Sequence, residues 1–201
     1  MLRYVIVGTG HSGTGYVAQL LTRAGVPCGH EQIFWANGFV NDAVAGLAAD
    51  SSWAATYHLS HPIVRAARLV HAIRHPLRVL ESWALKPTSD LFYGPTSFRE
   101  SIDNPALRGW EKLANRYMVM TRHVRVHGPA APLAGHISVV TVRVEDGPAL
   151  LDKLDLPCCA EIDRTYNSHR TGKQLTLTWD ELPRSVACDW VRRFAEGWGY
   201  E

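Results

Sequence analysis

The run Tyr4-Val-Ile-Val-Gly-Thr-Gly-His-Ser-Gly-Thr-Gly15 decides the fold of this chain. Its first four residues are apolar or aromatic and predict a buried central strand. Four glycines follow within eight positions and let the backbone turn sharply. From Tyr16 to Ala24, apolar residues recur at helical spacing. A strand, a glycine loop and a helix in this order direct loop N–H groups and the positive helix end into one hollow, which suits a phosphate or a sulfate.

Strands and helices alternate along the rest of the chain. We predict a second strand that stops at Gly29, short helices within 32–50, and a helix that begins at Pro76. Further strands are expected over 53–59, 68–74 and 137–142, a long helix over 106–126, and a closing helix whose buried side is formed by Val186, Trp190, Val191, Phe194 and Trp198. The alternation predicts a three-layer α/β/α sandwich with a mostly parallel central sheet, similar to P-loop nucleotide triphosphatases, in a single domain 1–201.

Charge and composition exclude several classes of protein. The chain has 201 residues, a formal charge of +2 and a pI of about 8.4, which gives no argument for a nucleic-acid partner. No stretch approaches the roughly 20 apolar residues that a membrane span needs. The four cysteines form no C-x-x-C pair, so we expect reduced thiols in a soluble, cytoplasmic protein whose oligomeric state stays open. His123 and His127 lack the glutamate of an H-E-x-x-H motif, so zinc catalysis is not expected.

Two stretches predict binding of a doubly phosphorylated ligand. The spacing from Gly8 to Thr14 nearly fits the phosphate loop G-x-x-x-x-G-K-[ST], but its lysine is missing, which argues against hydrolysis of a triphosphate. In the second stretch, Arg74 ends a predicted strand and Ser82 lies in the second turn of the next helix. Both side chains can then point to one spot beside the loop, where a guanidinium and a hydroxyl suit a single phosphate.

These two stretches resemble sulfotransferases that use 3′-phosphoadenosine 5′-phosphosulfate (PAPS). The resemblance implies that PAPS is the cofactor and that the loop binds its 5′-phosphosulfate through Gly10, His11, Ser12, Gly13, Thr14 and Gly15. It also implies that Arg74 and Ser82 bind the 3′-phosphate. In the same family a late R-K-G segment contacts this phosphate, and Arg170 and Lys173 match that segment loosely.

The resemblance extends to candidate catalytic residues. Tyr57-His58-Leu59 is similar to the strand end that holds a catalytic histidine in cytosolic sulfotransferases, and Cys28-Gly-His-Glu31 resembles the point where other members hold a catalytic glutamate. His58 and Glu31 are therefore alternative bases, with a slight preference for Glu31. The stretches Val142-Arg-Val-Glu-Asp146 and Gly197-Trp-Gly-Tyr200 are also similar to family motifs.

His11 is a departure from the family, which usually has Lys or Arg at this position. Three alternatives follow: a protonated His11 is the leaving-group acid, the cation comes from elsewhere, or the protein binds PAPS without transferring sulfate.

The expected activity is a metal-free, in-line transfer of a sulfuryl group from PAPS to a hydroxyl or amine of a small-molecule acceptor. No metal is required, because only one negative charge lies on the transferring group. Residues 32–50 and 86–105 are expected to shape the acceptor pocket. The alternatives are a P-loop kinase for small molecules or nucleotides, and a non-catalytic PAPS-binding module.

Overall fold

The computed structural model describes residues 1–35, 39–85, 104–128, 139–158 and 176–200. Five parallel strands in these ranges form one sheet in the order β2-β3-β1-β4-β5. They are β1 (Tyr4–Gly8), β2 (Cys28–His30), β3 (Ala49–Ser51), β4 (Arg68–Ile73) and β5 (Val140–Arg143). The glycine loop thus leaves the middle strand, and its neighbour β4 carries the second predicted anion-binding turn.

The helices agree largely with the periodicity of the sequence. They are α1 (Thr14–Arg23), α2 (Pro62–Arg65), α3 (Pro76–Leu85), α4 (Gly109–His127) and α5 (Val186–Gly197), with 3-10 helices at Trp53–His58, Val144–Leu154 and Trp179–Glu181. The predicted helices after the loop, after Pro76, before residue 128 and at 186–198 are confirmed. One member of the predicted buried stripe is wrong, because Val186 is 81% exposed at the first position of α5. None of the described helices is long and apolar enough to cross a membrane.

The sheet lies between two helical layers, which confirms the predicted three-layer α/β fold. Tyr4 and Ile6 of β1 pack into a core cluster with α1 and the Val144–Leu154 helix. Val5 and Val7 belong to the opposite cluster, which contains α3, α4 and α5. Because side chains alternate across a strand, four consecutive apolar residues supply both cores at once.

The third strand is not where we predicted it. Residues 53–58 form a 3-10 helix rather than a strand, and β3 is the polar segment just before it. The Ser52 hydroxyl accepts a hydrogen bond from the Ala54 N–H at 3.1 Å, so it caps a helical turn and ends the extended conformation. The rings of Trp53 and Tyr57 then pack edge to face on one side of the helical segment. These residues are four positions apart, a spacing at which helical side chains contact each other.

The polar residues of β3, and Ser52 directly after it, are buried, and each has a hydrogen-bond partner. Asp50 accepts bonds from the backbone N–H groups of 32, 33 and 34, each at 3.2 Å. Ser51 donates to the Thr14 carbonyl at 2.8 Å, and Ser52 donates to the Phe34 carbonyl at 2.7 Å. A strand of this kind carries no hydrophobic signal, which explains why its position was predicted wrongly.

The predicted helices within 32–50 are also wrong for the described part of that range. Residues 32–35 and 39–48 are irregular, and Phe34 and Val40 form an isolated antiparallel bridge. The N–H groups of 32–34 bond to Asp50 and are therefore not available to a helix. Residues 86–103 of the range 86–105 that is expected to shape the acceptor pocket, and the first residues of the strand predicted over 137–142, lie outside the described residues.

Candidate functional site: the glycine loop and its two borders

The loop between β1 and α1 is compact because its backbone takes conformations that favour glycine. Gly13 has a φ of +85°, and His11, although not a glycine, has a φ of +63°. At Gly8, a Cβ atom would lie 2.4 Å from the Ser12 hydroxyl oxygen. A side chain at position 8 would therefore displace the loop.

The start of α1 is suited to an anion. Its N-cap is Gly13, which provides no side-chain bond, and its first turn contains no acidic residue. The first N–H groups of a helix lack partners within the helix and carry the positive end of its dipole, so a bound anion can satisfy them. Thr14 and Gly15, which were predicted to bind a phosphate, occupy this first turn.

Ser12 has a different orientation from the one its predicted role suggests. Its hydroxyl is turned toward Gly8, is almost fully buried, and has no hydrogen-bond partner in the described residues. Its backbone N–H donates to the Thr9 carbonyl at 3.1 Å. Ser12 therefore packs against Gly8 and stabilises the loop conformation.

Arg74 and Ser82 both reach the loop, and both do so at His11. The Arg74 guanidinium donates to the His11 carbonyl at 3.2 Å. The Ser82 hydroxyl lies 2.7 Å from Nδ1 of the His11 ring. Arg74 and Ser82 thus border the same loop residue, although they are separated from it by 63 and 71 positions in the sequence. Arg74 contacts the backbone of His11, and Ser82 contacts its side chain.

Gly10 is bordered by the same helix. A Cβ on Gly10 would lie 3.3 Å from the indole nitrogen of Trp83, which follows Ser82 in α3. Trp83 is 4% exposed and therefore packs as a wall beside the loop.

The junction of β4 and α3 is held by residues for which the sequence indicated no role beyond a family likeness. The Glu145 carboxylate accepts a bond from the His75 N–H at 2.9 Å and another from the Tyr200 hydroxyl at 2.8 Å. The Arg143 guanidinium lies 4.6 Å from the centre of the Tyr200 ring. A carboxylate at the start of a helix is favourable, so Glu145 fixes the turn that presents Arg74 and Ser82.

Glu31 lies on the opposite border of the loop. It follows β2 with a φ of +57°, and its carboxylate lies 3.7 Å from the His30 ring nitrogen Nε2. The same nitrogen is 3.3 Å from the Thr14 hydroxyl at the start of α1. Burial raises the pKa of the Glu31 carboxyl, while His30 and a hydrogen bond from Trp53 partly offset that rise.

His58 does not lie at a strand end, as predicted, but at the last position of the 3-10 helix. Its ring stacks on Phe34 at 5.9 Å and meets His61 edge to face at 6.5 Å. Burial, followed by the charge of His61, lowers the pKa of His58. These contacts join His58 to the segment after β2, whereas Glu31 is joined to the loop through His30 and Thr14.

Two predicted residues, Arg170 and Lys173, lie outside the described ranges. In those ranges no group of three or more His, Cys, Asp or Glu residues could hold a metal ion. The described site is therefore a glycine loop with a helix start, an arginine and a serine on one side, and a histidine–glutamate pair on the other.

The chain is an α/β protein with a glycine-rich loop after the central strand of a parallel sheet. No known protein-family model matches its sequence, and no curated protein is significantly similar to it.

Proposed function

We propose that this chain is a sulfotransferase that moves a sulfuryl group from PAPS to a hydroxyl or amine of a small-molecule acceptor. The observation that carries the proposal is the meeting of Arg74 and Ser82 at His11. A single-phosphate ligand needs only the loop. A guanidinium and a hydroxyl beside the loop, in addition to the loop itself, suit a ligand with two separate anionic groups.

In this proposal the 5′-phosphosulfate binds the N–H groups at the start of α1, and the 3′-phosphate binds Arg74 and Ser82. Arg74 has five N–H donors, so it can keep its bond to the His11 carbonyl and still bind phosphate oxygens. The fixed fork of a guanidinium also favours a tetrahedral anion over a single point acceptor.

Sulfuryl transfer requires stabilisation of the leaving phosphate. The bond between sulfur and the bridging oxygen breaks, and its electron pair remains on that oxygen. A protonated His11 would donate to this oxygen, as oxyanion-hole donors do. Because Ser82 engages Nδ1 of His11, the donated proton would come from Nε2.

The acceptor must lose a proton as its oxygen or nitrogen bonds to sulfur, and we assign that proton to Glu31. The Glu31 carboxyl is half-buried, and one with a raised pKa is a better base near neutral pH than an ordinary surface glutamate. The contacts of His30 support the choice of Glu31 over His58. His30 contacts both the Glu31 carboxylate and the Thr14 hydroxyl, so it joins Glu31 to the start of α1, where PAPS is proposed to bind.

A kinase is supported less well. The loop lacks the lysine that phosphate loops use, and a kinase usually needs an aspartate near a strand end for Mg²⁺. The aspartate of β3, Asp50, uses its carboxylate oxygens to accept three backbone N–H bonds. A non-catalytic PAPS-binding module is favoured by one observation, namely His11 in place of the family's Lys or Arg.

Two measurements separate these possibilities. Calorimetric titration with adenosine 3′,5′-bisphosphate and with Mg²⁺–ATP should show binding of the bisphosphate and much weaker binding of ATP. Transfer of labelled sulfate from PAPS to a panel of phenols, alcohols and amines then separates the enzyme from the binding module. Preferential binding of ATP would refute the sulfotransferase, and bisphosphate binding without transfer to any acceptor would favour the module.

A further inference from the structure

The connection between β4 and α3 consists of Arg74 and His75, and the peptide group that joins these two residues is held at both ends. The Tyr117 hydroxyl of α4 donates to the Arg74 carbonyl at 3.4 Å. The His75 N–H, which belongs to the same planar group, donates to the Glu145 carboxylate at 2.9 Å. The orientation of this peptide group is therefore set from two separate elements of the fold.

The two side chains that hold the peptide group are themselves fixed. Tyr117 is 1% exposed, and its ring packs edge to face against Phe194 of α5 at 5.9 Å between the ring centres. The Glu145 carboxylate also accepts a bond from the Tyr200 hydroxyl at 2.8 Å. Burial, followed by the negative charge of Glu145, raises the pKa of the Tyr117 phenol. The Tyr117 hydroxyl therefore keeps the hydrogen that it donates.

The orientation of this peptide group determines how α3 is placed relative to β4. Rotation of the group changes ψ of Arg74 and φ of His75, the dihedral angles through which the chain passes from the strand into the helix. Arg74 lies on the strand side of the group and Ser82 on the helix side, and both contact His11. A change in these angles would therefore move the Ser82 hydroxyl relative to the Arg74 guanidinium.

We propose that Tyr117 is a positioning residue for binding of the 3′-phosphate. It acts through the backbone of Arg74, and by that contact it keeps Arg74 and Ser82 in the relative position that a single phosphate needs. Ligand-binding side chains require support of this kind, because a site whose groups are held loosely binds its ligand weakly. The inference rests on the proposed function, in which Arg74 and Ser82 bind the 3′-phosphate of PAPS.

The test is Tyr117→Phe, which keeps the ring and its packing and removes only the donor. Because the hydrogen bond is long, calorimetry should show about threefold weaker binding of adenosine 3′,5′-bisphosphate, with little change for adenosine 5′-monophosphate. Tyr4→Phe is the matched control and should change neither affinity, since it removes a similar bond from a buried tyrosine to the Leu154 carbonyl. Adding Tyr117→Phe to the double variant Arg74→Ala/Ser82→Ala should have no further effect, because Tyr117 acts through these two residues.

A measurement without nucleotide separates this inference from the proposed function. The nitrogen NMR signals of the His11 imidazole report its contact with Ser82 at 2.7 Å, and they should shift in Tyr117→Phe but not in Tyr4→Phe. If the unmodified protein binds no bisphosphate, the sulfotransferase is refuted, and the His11 signals alone decide whether Tyr117 positions Ser82.

Three results would overturn the inference. The first is unchanged bisphosphate affinity in Tyr117→Phe, or unchanged His11 signals if the unmodified protein binds no bisphosphate. The second is an equal loss of affinity for the bisphosphate and the monophosphate, which would mean that Tyr117 only stabilises the fold. The third is a loss in Tyr4→Phe as large as in Tyr117→Phe.

Discussion

Replacing Arg74 with alanine tests whether two phosphates bind at two places. The change removes the guanidinium that donates to the His11 carbonyl and, in our proposal, to the 3′-phosphate. A charge-assisted bond to phosphate contributes about 2 kcal/mol, which corresponds to about thirtyfold in the dissociation constant. The bond to the His11 carbonyl does not touch the ligand and acts on affinity only through the loop, so we expect its loss to weaken binding by about 1 kcal/mol or less, which corresponds to about fivefold.

The two contributions separate when two ligands are compared. Arg74→Ala should weaken binding of adenosine 3′,5′-bisphosphate about thirtyfold or more by calorimetry, and binding of adenosine 5′-monophosphate about fivefold or less. Arg78→Ala, which removes an exposed cation one turn further along in the sequence, controls for the general change in charge. Both proteins should be titrated at the same salt concentration, since phosphate contacts are sensitive to screening.

An equal loss of affinity for the two ligands would refute the reasoning. It would mean that Arg74 acts only by holding the loop through the His11 carbonyl. A loss with Arg78→Ala as large as with Arg74→Ala would refute it as well, because the effect would then depend on total charge and not on the position of the guanidinium.

Three further outcomes follow from the contacts. Glu31→Gln should abolish most sulfate transfer but leave the affinity for the bisphosphate unchanged. In the unmodified protein, initial rates of sulfate transfer should fall as the pH falls through the raised pKa of Glu31, because a base works only when it is deprotonated. Tyr200→Phe removes a bond to a carboxylate, so it should lower the melting temperature more than Tyr4→Phe, which loses a bond to the neutral Leu154 carbonyl; an equal decrease would contradict this. Gly25→Ala should lower the free energy of unfolding by about 1 kcal/mol, from backbone strain alone. Gly13→Ala should lower it more, because its Cβ would also lie 2.8 Å from Val144, and chemical denaturation of both variants measures the difference.

The sequence was sufficient for the parts of the fold that depend on hydrophobic runs. β1 is a continuous apolar segment and β4 is a mostly apolar one, and Pro76 marks the start of α3. Neighbouring parallel strands such as β1 and β4 end at the same edge of a sheet. The approach of Arg74 and Ser82, which follow β4, to the loop that follows β1 could therefore also be predicted.

The parts that the sequence did not reveal depend on buried polar pairing. β3 is buried because the partners of Asp50, Ser51 and Ser52 come from residues 14 to 34, and pairing of that kind leaves no periodic signal. In the sequence, Glu145 and Tyr200 belong to stretches that are similar to family motifs, but no local pattern gives them a structural role. Their bond joins positions 55 residues apart, so only the folded chain shows that they hold the start of α3.

The bond between Ser82 and His11 connects phosphate binding with protonation of the histidine. A hydroxyl has one hydrogen to donate and two lone pairs with which to accept. If Ser82 donates its hydrogen to a 3′-phosphate, its oxygen can only accept from His11, which requires a hydrogen on Nδ1. A proton on Nδ1 together with one on Nε2 is the imidazolium, the form that can donate to the leaving oxygen. Binding of the distant phosphate would thus exclude the neutral tautomer that carries its hydrogen only on Nε2. Of the two forms that remain, only the imidazolium can donate to the leaving oxygen, so His11 would need a second proton where a lysine would already be charged.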